Sequence, residues 1–350
     1  MADKVIKTGI IGFGLSGKVF HAPFLHTHPG FSIHSIVERH LNESAKQYPY
    51  ARIDRDYQFM LQDEEIELVV ICVPNVLHYQ VARDCLLSGK HIVIEKPFTP
   101  SAEEADDLIE LAEAENLKIF VYHNRRWDGD FRLIQQILSQ KLLGEVVEYE
   151  AHFDRYRPVI NKISWRDEHV PGSGVLYDLG SHLIDQAIQL FGKPEGIFAD
   201  IRKQRSGSSV DDYFDVHLYF AGFKAILKAG MMVSKNGPHF IVTGKQGSFI
   251  KYGMDPQEIA LKNGRLPNEP GWGEDDPENY GYLTIYENGQ PTETRPGTIP
   301  GDYQKFYQNV YDVLVKKHQQ AVKPQDARNV IRLIERAFRS NELKKVIFCE

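Results

Sequence analysis

Between residues 5 and 122 the chain alternates short apolar runs with amphipathic stretches. Val5–Ile11, Phe31–Val37, Leu68–Val73, His91–Ile94 and Lys118–Tyr122 lack polar alternation. That is the pattern of strands covered on both faces. Between them, Val76–Ser88 and Ala102–Glu115 carry apolar residues at helical spacing. Ser101, followed three residues later by Glu104, forms a capping box that sets the start of the second helix. Strand and helix in alternation predict a doubly wound parallel sheet of Rossmann type over residues 1–122.

Beyond residue 122 the period changes to two. Across Val146–Tyr156, Val147, Tyr149, Ala151 and Phe153 alternate with Glu148, Glu150, His152 and Asp154. Across Tyr213–Phe220, Phe214, Val216, Leu218 and Phe220 alternate with Tyr213, Asp215, His217 and Tyr219. Lys224–Met232 follows after an Ala-Gly turn. Such alternation predicts a second α/β domain over residues 123–350, built on a large, mainly antiparallel sheet open on one face. The open face is amphipathic and aromatic-rich, suited to an oligomer interface or a wall of a substrate cleft. Residues 253–301, rich in Gly, Pro, Asn and acids, are expected to form long loops with little regular structure. Helical periodicity returns over Asp326–Glu342, in a C-terminal helix expected to pack back on the first domain.

The length of 350 residues fits two domains, and the net charge of -7 gives no reason to expect nucleic acid or an anionic membrane as partner. No apolar stretch is long enough to span a bilayer, and the N-terminus lacks a signal-peptide pattern. The three cysteines, Cys72, Cys85 and Cys349, form no C-x-x-C pair, so the expected setting is a reducing cytoplasm.

Candidate chemistry enters where the strands end. Gly12-Phe13-Gly14-Leu15-Ser16-Gly17 directly follows the first strand and opens a helix-like segment. In a dinucleotide loop of this form the first glycine permits the turn, the second lets backbone approach the pyrophosphate, and the third allows close helix–strand packing. Glu38 ends the next strand, where a carboxylate accepts hydrogen bonds from an adenosine ribose and favours NAD. Arg39 follows at once, and a guanidinium there suits a 2′-phosphate, so NAD and NADP both stay open. Val73-Pro74-Asn75, with His78 beyond, ends a third strand at the place for a nicotinamide ribose, and Glu95-Lys96-Pro97 ends a fourth. In an open parallel sheet, ligands bind beyond these carboxyl ends, which makes Lys96 a candidate proton donor to a substrate oxygen. The bland reading is a surface lysine after a strand.

A second constellation is Asp178 and His182, four apart at the start of a helix over Gly180–Phe191, with Asp185 beyond. If the helix starts early enough, both side chains project together, and an imidazole there can take a hydroxyl proton while the carboxylate orients it or the substrate. A buried histidine capped by the aspartate is the structural alternative. A metal pair lacks an evident third ligand at helical spacing. Asn124-Arg125-Arg126, at the crossover between domains, offers donors for a polyol, with a salt-bridge role equally open for one arginine.

Together these pieces resemble the Gfo/Idh/MocA oxidoreductase family, in the same order along nearly the whole chain. The segments Tyr122–Trp127, Arg155–Pro158, Leu176–His182 and Gly247–Gly253 are similar to the branch that contains NADP-dependent scyllo-inositol dehydrogenases. The resemblance implies an NAD(P)-dependent hydride transfer at a sugar or cyclitol carbon, in a homodimer or homotetramer joined through the open sheet. By position it implies Lys96 and His182 as the acid/base pair and Asp178 as a substrate-placing group. Two other classes stay in view: a glycosidase-type enzyme of the same superfamily that holds NAD, and a non-catalytic dinucleotide sensor.

Overall fold

The computed structural model describes residues 4–160 and 168–349, and within them the apolar runs pair into two sheets. In chain order the strands are β1 (Ile6–Ile11), β2 (Phe31–Val37), β3 (Arg52–Asp54), β4 (Leu68–Ile71), β5 (His91–Ile94), β6 (Ile119–Val121), β7 (Val146–His152), β8 (Gly196–Arg202), β9 (Tyr213–Phe220), β10 (Phe223–Gly230), β11 (Phe240–Gly244), β12 (Gly247–Lys251), β13 (Tyr282–Glu287), β14 (Gln290–Thr294) and β15 (Ile347–Phe348). The α-helices are α1 (Ala22–Thr27), α2 (Glu43–Gln47), α3 (Tyr57–Leu61), α4 (His78–Leu87), α5 (Ala102–Ala114), α6 (Gly129–Ser139), α7 (Ser181–Phe191), α8 (Gln257–Lys262), α9 (Gln304–Lys316) and α10 (Pro324–Leu343). The chain divides into two compact units: Met1–Asn124 with Gln257–Trp272 and Asp302–Asn329, and Arg125–Pro256 with Gly273–Gly301 and Val330–Glu350.

In the first unit a six-stranded sheet runs β3-β2-β1-β4-β5-β6, and each neighbouring pair is parallel. Strands β4 and β5 are fully buried along nearly their whole length, which is why their sequences carry no polar alternation. The register aligns Val37, Ile11, Ile71, Ile94 and Val121 across five strands. The residues that follow them, among them Glu38, Gly12 and Glu95, therefore stand along one carboxyl edge. The capping box forms as read: Ser101 Oγ accepts the Glu104 N–H at 3.2 Å, and the Glu104 carboxylate takes a hydrogen bond from the Ser101 backbone. Helix α9 seats Phe306 edge-on against Tyr122, ring centroids 4.8 Å apart, and stacks Tyr307 on Phe24 at 6.2 Å.

The second unit holds a sheet ordered β14-β13-β12-β11-β7-β10-β9-β8-β15, nine-stranded among the described residues. It is antiparallel except for the β7–β10 pair. The alternation in β7 and β9 puts Tyr149, Ala151, Phe214, Val216 and Leu218 into the core. Phe191 of α7 closes on Tyr149 from that side, ring centroids 5.4 Å apart. On the other face, Glu148, Glu150, Asp215 and His217 are half-buried.

The loop expectation for residues 253–301 is corrected. That stretch contains α8 and the hairpin β13–β14, whose two-residue turn Asn288-Gly289 has φ of 52° and 78°. Asn-Gly with both residues left-handed is the strongest short-range hairpin signal, and the polar composition around it hid the strands. No helix among the described residues is long and apolar enough to cross a membrane.

Candidate active site

The glycine loop behaves as its spacing requires. Gly12 has φ of +95°, and a Cβ on it would lie 2.5 Å from the Cys72 carbonyl oxygen. A Cβ on Gly17 would collide with the Gly12 carbonyl and touch Ile10, so only hydrogen lets this helix start pack on β1. Gly14 has nothing within 4 Å of its would-be Cβ, and it and Leu15 are exposed, which leaves the open cradle a pyrophosphate needs. Phe13 is buried edge-on against Tyr48. The residues present fit a dinucleotide.

Beyond the loop the backbone does not enter an α-helix at once. Ser16–His21 is a π-helical turn, followed by α1. In an α-helix residues five apart point about 140° away from each other. A π turn, closed by i→i+5 bonds, brings them nearly into line. Ser16 and His21 accordingly both reach the same oxygen: Ser16 Oγ donates to Glu95 Oε1, and His21 Nε2 lies 3.0 Å from it. On its other side His21 Nδ1 is 2.6 Å from the Tyr307 hydroxyl. Glu95 Oε2 accepts the Lys96 backbone N–H at 3.1 Å. Burial alone would raise the Glu95 carboxyl, but hydrogen bonds from His21 and Ser16 and the Lys96 charge outweigh it and hold the group at about 2. A carboxyl lowered from 4.5 stabilises the fold at pH above that value, and the contribution is lost as pH falls toward 2.

Two residues read as cofactor contacts are turned inward. Glu38 is buried, its Oε1 accepting Ser44 N–H at 2.8 Å and its Oε2 accepting Glu43 N–H at 3.0 Å, so both oxygens cap the start of α2. Arg55 locks the same loop by donating to the Glu38 and Leu41 carbonyls, each at 2.7 Å. Arg39, next in line, is exposed. His78 is fully buried with Nδ1 2.9 Å from the Pro97 carbonyl oxygen and Nε2 3.1 Å from that of Val73. It joins the Val73-Pro74 turn to the Lys96-Pro97 turn from beneath. Burial lowers its pKa, against those backbone bonds. Asn75 and Asn124 are buried, and Val73, Pro74 and Lys96 are half-buried.

In the second unit a π-helical turn, Leu176–Gly180, runs directly into α7. Asp178 and His182 thus fall four apart in continuous helical backbone, the condition the sequence reading set. Asp178 is half-buried and His182 buried. The turn is started by Gly174, at φ +94°, and by Asp211, whose Oδ2 accepts the Leu176 N–H at 2.7 Å. Burial raises the Asp211 carboxyl to about 6 against those backbone bonds. His182 stacks on Phe153 at a centroid distance of 6.5 Å, and the Arg125 and Arg155 guanidinium carbons each sit 4.9 Å from the same ring centroid. Arg126 grips Asp185 with two hydrogen bonds, of 2.8 and 2.7 Å, both partners buried. Gln186 donates to the Arg125 carbonyl at 3.0 Å. The structural role left open for one arginine therefore falls to Arg126, which ties the Asn124–Trp127 turn to the helix bearing His182.

His21, Tyr307 and Asp211 were missed in the sequence, while Phe153 was read only as an apolar strand position and Arg155 only as part of a family-like segment. His21 left one trace, a polar residue between Phe20 and the Ala22-Pro23 helix start, whereas Tyr307 and Asp211 lie far from their partners in the chain. Among the described residues the grouping with metal-ligand spacing is His34, Asp63 and Glu65, and its acids already hold Arg52 and Lys7.

Two family models match the chain. One, the NAD-binding Rossmann fold of an oxidoreductase family, covers residues 6–123. The other, the C-terminal α/β domain of the same family, covers residues 135–347. The scyllo-inositol 2-dehydrogenase (NADP(+)) IolW of Bacillus subtilis is 40% identical over 346 residues, 99% of this chain and 96% of that one. The solved structure of YvaA from Bacillus subtilis superposes with a TM-score of 0.97 at 38% identity, over 100% of both chains. An oxidoreductase from Bacillus cereus superposes with a TM-score of 0.91 at 37% identity, over 99% of both.

The Arg126–Asp185 pair gives a direct test of how α7 is held. Removing one partner of a buried pair strands the other charge, so Arg126→Ala is expected to cost about 3–5 kcal/mol in the unfolding of the second unit. Arg126→Met with Asp185→Leu is expected to recover most of that loss, measured by denaturant titration of both variants.

Proposed function

The chain belongs to the Gfo/Idh/MocA oxidoreductase family, and from that membership we propose that it is an NADP-dependent dehydrogenase that moves hydride between the nicotinamide and a ring carbon of a cyclitol or sugar. The observation that carries this reading is the common carboxyl edge of β1, β4 and β5. It sets the open glycine loop and Lys96 at the ends of strands separated by one neighbour. IolW, an NADP(+)-dependent dehydrogenase of scyllo-inositol, supports the substrate class.

When bound, the nicotinamide supplies the carbon that exchanges hydride. The loop Gly12–Gly17 holds the pyrophosphate, with Val73, Pro74 and Asn75 beside the nicotinamide ribose, and residues 1–122 form the dinucleotide domain. Residues 123–350 bind the substrate. Lys96 donates a hydrogen bond to the substrate oxygen, His182 exchanges the hydroxyl proton, and Asp178, Asn124 and Arg125 orient the polyol. Lys96→Ala and His182→Ala are each expected to lower kcat for inositol oxidation by about 10²–10⁴, read as absorbance of reduced cofactor. Full turnover in either variant would remove that residue from the chemistry.

The preference for NADP rests on Glu38. A carboxylate at this position favours NAD only where it faces the ribose, and here both of its oxygens are spent on α2. Arg39 is left exposed at the strand end to meet a 2′-phosphate. Arg39→Ala is expected to raise KM for NADP by about 10–100-fold and to leave KM for NAD within about threefold. Glu38→Gln is expected to leave the ratio of KM values for NADP and NAD unchanged. A swing toward NADP in Glu38→Gln would show the carboxylate still opposes the phosphate.

The open sheet face supports a homodimer or homotetramer. Register puts Phe198, His217, Ile226, Glu150, Ile241, Ile250 and Tyr282 in one row across seven strands. Ion pairs Lys224–Glu148 and Lys228–Asp215, at 3.3 and 3.2 Å, flank that row. Ile241→Glu places a charge in its middle and is expected to shift the mass in light scattering to that of the protomer. An unchanged oligomer would place the interface elsewhere.

A further inference from the structure

We propose that Asp211 is a positioning residue for Asp178 and His182, its carboxylate capping from a distant segment the helical run that carries both. The proposal rests on the reading of His182 as the group that exchanges the substrate proton, and it adds what sets the backbone beneath that pair.

The helical run from Leu176 through α7 starts without a cap of its own. A helix start leaves its first N–H groups without partners inside the helix, and a Ser, Thr, Asp or Asn just ahead of it ordinarily supplies them. Here Val175 holds that place, and its side chain caps nothing. Ser173, two residues before, donates its hydroxyl to the Val170 carbonyl at 2.6 Å. The acceptors come instead from Asp211, 35 positions on from Leu176. Its Oδ2 takes the Leu176 N–H at 2.7 Å, and its backbone carbonyl takes the Val175 N–H at 3.0 Å. Two successive N–H groups thus end on one residue. Gly174 admits it, since a Cβ there would lie 2.0 Å from Asp211 Oδ1. The Gly174 carbonyl in turn takes the Asp178 N–H at 3.0 Å. Asp178 therefore hangs on the first bond of the capped turn, and His182 follows one turn later.

Asp211 is itself held. The Asp212 carboxylate accepts the Arg205 backbone N–H and Nε–H, each at 3.0 Å, and the Asp212 carbonyl takes the Met231 N–H at 3.1 Å. These bonds tie the segment ahead of β9 to the end of β10. The charge on Asp211 works against stability. Burial raises the carboxyl from 3.8 to about 6, against the N–H groups of Leu176, Asp211 and Val175, and the like charge of Asp212 adds to the rise. A carboxyl raised in this way binds its proton more tightly in the folded chain, so its contribution to stability falls as pH climbs from 3.8 to about 6. A neutral acceptor would take the Leu176 N–H without that loss. What the carboxylate adds is a charge-assisted bond at the positive end of the helical run, which keeps the first turn from fraying under Asp178.

The test uses the full-length protein with Asp211→Ala and Asp211→Asn, and His182→Ala as reference. Asp211→Ala is expected to lower kcat for inositol oxidation about 10–100-fold, with KM for NADP within about threefold. Asp211→Asn keeps an acceptor oxygen without the charge, and its kcat is expected to fall between, about three- to tenfold below that of the unchanged protein. A second readout needs no turnover. Amide hydrogen exchange over residues 174–182, followed by mass spectrometry, is expected to run about fivefold faster in Asp211→Ala and to stay unchanged over β1 to β6. Faster local exchange with kcat unchanged would reduce Asp211 to a structural cap and overturn the proposal, as would unchanged exchange. An undiminished kcat in Asp211→Asn would also overturn it, and that variant decides alone should Asp211→Ala fail to fold. Full activity of His182→Ala would instead overturn the assignment of His182, whatever the exchange rates show.

Discussion

A carboxylate taken out of water must be given donors, and that constraint governs both units of this chain. Glu95, Glu38, Asp185 and Asp211 are each largely withdrawn from solvent, and each is satisfied in a different way. Glu95 takes Ser16, His21 and the Lys96 backbone. Glu38 takes the first N–H groups of α2, Asp185 takes the fork of Arg126, and Asp211 takes the N–H of Leu176. Every one of these bonds fixes a segment next to a residue proposed for chemistry or cofactor binding. The acids are the ties by which a sheet edge or a helix start becomes a defined surface.

In each unit the candidate site begins with a π-helical turn, Ser16–His21 after the glycine loop and Leu176–Gly180 before α7. A π turn is costlier than an α turn and persists where a specific contact holds it. At Ser16–His21 the contact is the shared oxygen of Glu95. At Leu176–Gly180 it is the Asp211 carboxylate at the turn's start, next to a glycine whose left-handed backbone has no space for a Cβ on that side. The widened turn re-aims side chains that an ordinary helix would splay, and a buried acid makes the widening affordable.

Much of the fold was legible because its signals are local. Five mainly apolar runs mark five of the six parallel strands, since strands covered on both faces carry few polar residues, whereas the short β3 has no such run. Strict alternation in β7 and β9 gives the open face, since a side-chain period of two leaves no choice of which residues face the core. Strands β13 and β14 were lost because most of their residues are half-exposed or exposed and polar, and only Asn288-Gly289 betrays them. The site divides along the same line. Gly12–Gly17, Lys96, Asp178 and His182 announce themselves by spacing, whereas Tyr307 lies 286 positions from His21 and Asp211 lies 35 from Leu176. Contacts at such separations exist only after folding, and no window on the sequence contains both partners.

Glu38 marks the limit of reading a motif by residue type. Its position after β2 is that of a ribose-binding acid, and its spacing from Gly17 agrees. What decides its role is the direction of the side chain, and that depends on whether a helix start lies within reach to be capped. Here α2 begins five residues on, with its free N–H groups beside the strand end, and Arg55 fastens the intervening loop. The carboxylate turns to the stronger demand, a set of unsatisfied backbone donors at a helix terminus, and leaves the strand end to Arg39. The same letter in the same place would favour NAD in a chain whose second helix started elsewhere. Under the proposed preference for NADP, cofactor choice at this edge would depend on where a neighbouring helix begins as much as on the residue that ends the strand.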